Sequence, residues 1–255
     1  HFAENSEENA LATKGMMLWG NMNYAYGEAA KGIIGNSDLT KASYTSRGWT
    51  KPNLVTYMES HDEEREMYRC IKEGRSSGSY NIQDTATALQ RAGLTAAFLL
   101  TIPGPKMIWQ FGEQGYDYSI NYPSGTSASR LDNKPPRWDY MSMPDRQKLY
   151  NTYKKLTWLK KSNPVFNATD IQLDLTGAVK TIKLNSGGKS AVVIGNFEVV
   201  SSNGAPGFSR TGKWYDYISG DSINVTDVNT NIILKPGEYR IYLSEKFMYP
   251  NGIET

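Results

Sequence analysis

The sequence predicts an α/β fold, part of a (β/α)8 barrel, followed by an all-β antiparallel sandwich. Three observations predict it. Residues 1–163 alternate short apolar, strand-like runs with helical segments, the pattern of parallel strands joined by crossover helices. Beyond Asn163-Pro164 the helical segments stop, and short strands separated by turn residues take over, as in an antiparallel sandwich. Counting supplies the third. A strand–helix unit takes about 30 residues and a closed eight-fold barrel about 250, so the three units in residues 1–163 make less than half a barrel. Domains are therefore expected at 1–163 and 164–255.

Each element follows from local pattern. A short capped helix over residues 6–14 is closed by Gly15, and residues 16–20 form a short apolar strand. An Ala-rich helix spans 24–34, weakened by Gly27 and Gly32. After a polar loop, the run 53–61 has the length and the β-branched and aromatic content of a buried strand. A short helix follows from Glu63. A longer one spans 84–100, with Leu89, Ala92, Ala96, Leu99 and Leu100 on one apolar face. Pro103-Gly104-Pro105 ends it, and 106–111 is the next strand. A long Ser-, Pro- and Gly-rich loop runs from Gly112 to Met143, and the last helix covers 144–161 with Leu149, Tyr153, Leu156 and Leu159 on one face. Six strands follow, at 178–184, 191–197, 213–218, 222–225, 232–234 and 239–243. Asn185-Ser186-Gly187-Gly188 joins the first two as a hairpin turn.

Composition excludes several classes of function. With 28 basic against 26 acidic residues, net charge +2 and no basic run, neither nucleic acid nor an anionic membrane is an expected partner. The most apolar stretch, residues 92–102, is too short and too interrupted to span a bilayer. Cys70 is the only cysteine, so no intrachain disulfide or cysteine metal cluster can form. Phosphate-loop, dinucleotide and zinc spacings are missing, so no cofactor is expected for this chain. The sequons at Asn167 and Asn224 matter only on a eukaryotic secretory route. Aromatics are in surplus, with 17 Tyr and 6 Trp, and flat amphipathic rings suit sugars as well as cores.

The most informative feature is the buried strand that stops at His61-Asp62. In parallel α/β folds the carboxyl ends of the strands are where ligands bind. The competing reading makes Asp62 the cap of a helix beginning Glu63-Glu64-Arg65-Glu66, with its acids favourably placed at the helix dipole.

The order of the pieces resolves the choice. Leu54-Val55-Thr56-Tyr57-Met58-Glu59-Ser60-His61-Asp62 resembles the seventh-strand motif of the α-amylase family, glycoside hydrolase family 13. Leu99-Leu100-Thr101-Ile102-Pro103-Gly104 and Pro105-Lys106-Met107-Ile108-Trp109 are similar to the end of its seventh helix, a Pro-Gly turn and its eighth strand. Phe111-Gly112-Glu113-Gln114-Gly115 resembles the segment that follows, and Val192-Val193-Ile194-Gly195-Asn196-Phe197 with Leu234-Lys235-Pro236-Gly237-Glu238-Tyr239 the appended β-domain. The resemblance covers nearly the whole chain, in order. It implies strands six to eight of the barrel plus the β-domain, and a catalytic glutamate just upstream of His1, with residues 1–5 following the fifth strand.

By this resemblance Asp62 is the third carboxylate, stabilising the oxocarbenium-like transition state, and His61 hydrogen-bonds the same sugar. The partners implied are α-glucans such as starch and maltooligosaccharides. Tyr116 and Tyr118 are candidates for stacking on a sugar ring; Arg130, Arg137 and Trp138 for lining the site. Glu113 is set to face the same cleft or to fix its loop, and Glu28 reads as a solvated helix residue. The nucleophile and acid/base lie on strands four and five of the family, outside this sequence; Glu4, Glu7 and Glu8 read as solvated residues around a helix start. Retaining hydrolysis needs two carboxylates about 5 Å apart, so the chain alone is expected to be inactive. Transglycosidases share the motif, and a non-catalytic glycan-binding piece is the rival of another class. Calcium is common in the family, but no ligand set can be assigned here. The resemblance also points to an extracellular or periplasmic location. An open barrel edge predicts self-association.

Overall fold

The computed structural model describes residues 7–250; the expectations for residues 1–5 lie outside them. Helix α1 (Glu8–Thr13) ends where Gly15 takes the left-handed backbone (φ 90°) that terminates helices. Strand β1 (Leu18–Asn21) runs parallel to β2 (Leu54–Tyr57), pairing Leu18 with Leu54 and Asn21 with Tyr57. A Cβ on Gly20 would lie 2.8 Å from Leu54 Cδ1, so this strand position accepts only glycine without a shift. Helix α2 (Asn23–Lys31) follows β1 and is closed by left-handed Gly32. Glu28 on it is buried rather than solvated, because Lys31 lies 2.6 Å away and is itself bonded to Glu73 at 2.7 Å.

The next strand is much reduced. Where a strand over 106–111 is expected, the chain lies parallel beside β2 but makes one bridge, Thr56 to Lys106, with Met107 N donating to Thr56 O at 3.1 Å. Pro103 and Pro105 have no N–H to give, and a segment with a partner on one side only has little to hold it extended.

Helix α3 (Glu66–Glu73) begins three residues later than expected. A two-residue ribbon, β3 (Ser76–Ser77) with β4 (Tyr80–Asn81), leads to α4 (Thr85–Thr101). The predicted single apolar face of α4 gives way to burial all round from Arg91 to Thr101, because α2, α3, α5 and the large sheet all pack against it. Its Ala-rich sequence suits that central position. Helix α5 (Pro144–Ser162) starts with Pro in its first turn and buries the expected stripe Leu149, Tyr153, Leu156 and Leu159.

The remainder is β5 (Asp170–Asp174), β6 (Val179–Ser186), β7 (Lys189–Asn196), β8 (Ser202–Gly204), β9 (Gly212–Asp216), β10 (Ser222–Val225), β11 (Ile232–Leu234) and β12 (Tyr239–Leu243). Six of these form one antiparallel sheet in the order β10-β9-β12-β7-β6-β5; β8 and β11 pair as a ribbon. Gly187 (φ 56°) and Gly188 (φ 79°) make the β6–β7 turn with both residues left-handed, as a tight hairpin requires. Where the sequence predicts a sandwich, one face of the six-stranded sheet packs on helices. Ile182, Leu184, Val193 and Ile241 share a core with Leu94 and Phe98 of α4. The contact is close: a Cβ on Gly195 would meet Leu94 and Phe98 at 2.6 and 2.7 Å. On the other face, Val192, Ile194, Trp214 and Tyr242 pack with Phe208 and with Leu234 of the ribbon.

The main core is thus continuous across Asn163-Pro164. Arg91, fully buried, ties its two sides together. Its guanidinium donates to Ala30 O at 2.8 Å and to Ala29 O at the end of α2, and to Phe197 O at 2.7 Å just past β7. Cys70 sits in the same core, its thiol pushed up by burial, as an inert packing residue.

Candidate active-site cleft

Strand β2 ends at Tyr57, and the next eight residues turn back to start α3. Two asparagines, Asn21 at the end of β1 and Asn23 at the start of α2, shape this turn. Asn21 Nδ2 donates to Glu63 Oε1 at 2.6 Å; Asn23 Nδ2 donates to Met58 O at 2.7 Å and Glu64 O at 3.0 Å. Glu59, buried, accepts the Glu66 N–H on Oε1 at 2.8 Å and so caps α3 from outside the helix. Its other oxygen faces Arg65 Nη1 at 3.4 Å and sits where a Gly112 Cβ would be, 2.6 Å away. The capping reading of Asp62 is therefore overturned: α3 begins at Glu66, and Glu59 supplies the acceptor.

Asp62 and His61 instead project outward, with side chains 60% and 73% exposed. His61 Nε2 lies 3.2 Å from Asp62 Oδ2, and the imidazole leans against Trp109 with ring centroids 5.8 Å apart. Ser60 Oγ accepts the Asp62 N–H at 3.1 Å, which fixes the backbone between them.

The long loop 112–143 forms the opposite wall and is fastened to the turn at several points. Ser119 Oγ and Ile120 N–H donate to the two Glu64 carboxylate oxygens at 2.7 and 2.8 Å. Arg130 Nη2 donates to the Asp62 carbonyl. The Arg65 guanidinium lies 4.7 Å over the Tyr116 ring and donates to Gln110 O. Tyr116 OH donates to Pro135 O at 2.7 Å. Lys134 turns back into its own loop, its ammonium donating to the carbonyls of Ser129 at 2.9 Å and Asp132 at 2.6 Å.

These walls enclose a cleft of about 440 Å3, within the usual range for small-molecule sites. Of the residues singled out in the sequence, His61, Tyr116, Tyr118 and Arg130 line it. Asp62 flanks it, joined through His61 and Arg130. Tyr116 is only 3% exposed, stacked against Phe111 at 5.8 Å, and burial pushes its hydroxyl up to about 12. It shapes the wall rather than offering a face to stack on. Trp138, 72% exposed, stands edge-on to Phe111 at 4.9 Å. Arg137 is committed to packing: it clamps Asp139 with two bonds of 2.8 and 2.7 Å and lies over the rings of Tyr118 and Tyr140. Glu113 faces elsewhere, lining a groove along α5 with Tyr150 and Trp158.

Sequence reasoning missed Glu59, Glu64, Arg65, Trp109 and Phe111. A carboxylate at position 59, inside an apolar run, was the available signal, since a buried charge must find partners. Phe111 is the one non-glycine with positive φ (61°) among the described residues, and such strain gathers at functional sites. Among the described residues, no group of three or more His, Cys, Asp or Glu side chains is placed to hold a metal ion.

The fold is that of the carboxyl-terminal part of the amylases. The solved structures it resembles are α-amylase-family enzymes, and the likeness takes in most of this chain. An Anoxybacillus α-amylase is 16% identical, with 93% of this chain and 54% of that one covered and a TM-score of 0.61. For the Geobacillus thermoleovorans α-amylase, solved with acarbose, the figures are 14%, 88%, 47% and 0.63. For CldA, a cyclomaltodextrin glucanotransferase, they are 16%, 87%, 44% and 0.62. The chain thus spans about half the length of these relatives. At such identities the likeness is one of fold. No protein-family model matches the sequence, and no curated protein matches it either.

Proposed function

We propose that this chain is the carboxyl-terminal part of an α-amylase-family retaining glycoside hydrolase acting on α-glucans such as starch and maltooligosaccharides. Residues 1–163 supply strands six to eight of its barrel, and 164–255 its β-domain. The observation that carries the reading is the His61-Asp62 pair at the carboxyl end of a parallel strand, opening on a cleft, within an amylase-like fold.

In this reading the Asp62 carboxylate opposes positive charge as it develops at the anomeric carbon, and His61 hydrogen-bonds a hydroxyl of the same ring. Arg130 positions Asp62 through its backbone carbonyl, and Tyr116 holds the wall. Charge stabilisation of this kind is worth most when its groups are fixed beforehand. The nucleophile and the acid/base come from the other half of the barrel, so this chain alone is inactive. A transglycosidase is the second reading, favoured by the likeness to CldA, because the same groups serve water or a sugar hydroxyl as acceptor. The parent acts outside the cytoplasm. Met16, Met17 and Trp19, exposed at the free edge strand β1, offer the surface through which two copies of this chain associate.

The test is Asp62→Asn in the full-length parent. The expected outcome is a fall in kcat of about 10²–10³-fold with the melting temperature unchanged. Starch hydrolysis by the 255-residue chain alone, abolished by the same substitution, would refute the division of labour. Product analysis with maltooligosaccharides separates hydrolysis from transfer.

A further inference from the structure

The backbone of Asp62 is gripped at both of its polar groups. Its carbonyl accepts a hydrogen bond from Arg130, and its N–H donates to Ser60 Oγ at 3.1 Å. The Ser60 hydroxyl has one proton to give, and it donates that proton to Glu63 Oε2. The other Glu63 oxygen, Oε1, accepts from Asn21 Nδ2 at 2.6 Å. Three hydrogen bonds in series thus run from Asn21, the last residue of β1, through Glu63 and Ser60 to the peptide N–H of Asp62. The series has a fixed sense. Two donors meet Glu63, and a carboxylate accepts at both oxygens where an amide could accept at only one. Ser60 donates to that charge, which makes its own oxygen a stronger acceptor for the Asp62 N–H.

Glu63 and Ser60 both line the His61 cleft. With a donor on each oxygen, Glu63 is set into the wall rather than poised to exchange a proton. The fold of the turn does not depend on it either. Asn23 binds the carbonyls of Met58 and Glu64, Glu59 accepts the Glu66 N–H, and Glu64 accepts from Ser119 and Ile120. Those bonds hold residues on either side of Asp62; the Glu63 series ends on Asp62 itself. We propose that Glu63 is a positioning residue: anchored by Asn21, its carboxylate orients the Ser60 hydroxyl, which fixes the Asp62 peptide. Because backbone angles limit the rotamers open to a side chain, fixing the peptide sets the direction in which the Asp62 carboxylate leaves the turn. That this direction serves a developing positive charge on a sugar rests on the function proposed above; the series of bonds does not.

Two measurements test it. In the 255-residue chain, amide hydrogen exchange at Asp62 reads the last bond of the series. Glu63→Gln keeps the size of the side chain but replaces one acceptor with an amide donor, and Ser60→Ala removes the link outright. Each should speed exchange at Asp62 about fivefold to tenfold, the worth of one hydrogen bond. Exchange at Glu66 and Ile120, whose N–H groups are held by Glu59 and Glu64, should stay unchanged. In the full-length parent, each variant should lower kcat about tenfold, since misplacing a reacting group by a fraction of an ångström costs on that order. KM and the melting temperature should hardly move. The double variant should be no slower than the slower single one, because both cut the same series. Unchanged exchange at Asp62 in both variants would overturn the series of bonds. Faster exchange with kcat intact, in a parent that Asp62→Asn inactivates, would overturn the positioning role and leave the proposed function standing; so would additive losses in the double variant. If Asp62→Asn leaves kcat intact, the proposed function falls and the positioning role falls with it.

Discussion

Replacing Arg91 with methionine removes a buried side chain that joins the end of α2 to the end of β7. Three backbone carbonyls, those of Ala29, Ala30 and Phe197, lose a charged donor in a site without solvent, and a longer contact of 3.4 Å to Asn196 O goes as well. Ala29 O keeps the Gly32 N–H at 3.1 Å, so two acceptors, those of Ala30 and Phe197, are orphaned. At about 1–3 kcal/mol each they amount to roughly 2–6 kcal/mol. Against this stands relief of the desolvation that pulls the guanidinium below its ordinary pKa, a return of several kcal/mol. The net expectation is a loss of about 1–3 kcal/mol, or a melting temperature lower by about 2–12 °C for a chain of this size. Urea unfolding followed by circular dichroism measures it, with Arg91→Lys as the control. Lysine keeps the charge but cannot fork between the two elements, so it should fall between wild type and methionine. A loss under about 1 kcal/mol for Arg91→Met, or lysine equal to arginine, would refute the assignment.

Burial holds the ammonium groups of Lys160 and Lys180 at about 8, below the 10.4 or so of an unfolded lysine. Between those values the unfolded chain binds more protons than the folded one. The penalty is therefore complete below pH 8, and stability contributed by these two groups should rise with pH from about 8 to 9.5, by up to about 1.4 kcal/mol per pH unit for each. Urea midpoints across that range check it, and Lys180→Met should flatten the rise; a flat wild-type profile would contradict it. Lys134→Met removes the ammonium from its carbonyls and should make the 129–135 loop markedly more sensitive to limited proteolysis, with little change in overall melting. Gly112→Ala forces a Cβ against the Glu59 carboxylate and should cost about 1–3 kcal/mol, seen as a lower melting temperature and faster amide exchange at Glu66.

What was legible in the sequence was local. The start of the buried strand at Leu54, the Gly187-Gly188 turn and the α5 stripe are each written in contiguous or helically spaced residues, and all stand in the structure. The strand itself stops at Tyr57, four residues short of His61, because beyond it Met58–Arg65 turn back toward α3. Strand β5 was legible and overlooked, since Asp170-Ile171-Gln172-Leu173-Asp174 alternates polar with apolar residues as a sheet-edge strand does. Strand β8 had no signal, because Ser202-Asn203-Gly204 has little strand propensity. The cleft's far wall was illegible for a different reason. Ser119 and Ile120 meet Glu64 across more than fifty residues of chain, and Arg91 reaches Phe197 across 106. Neither pairing has a local signature.

The fastenings between the Glu59–Arg65 turn and the long loop bear on how tightly the cleft could hold anything. Ordering a long side chain on binding costs about 0.5–1.5 kcal/mol. Arg65 and Arg130 are already held by carbonyl oxygens, and Tyr116 by Pro135. That entropy has been lost during folding, before any ligand arrives. Affinity in this cleft should consequently depend little on loop closure, and association should show a single fast phase rather than a slow conformational step.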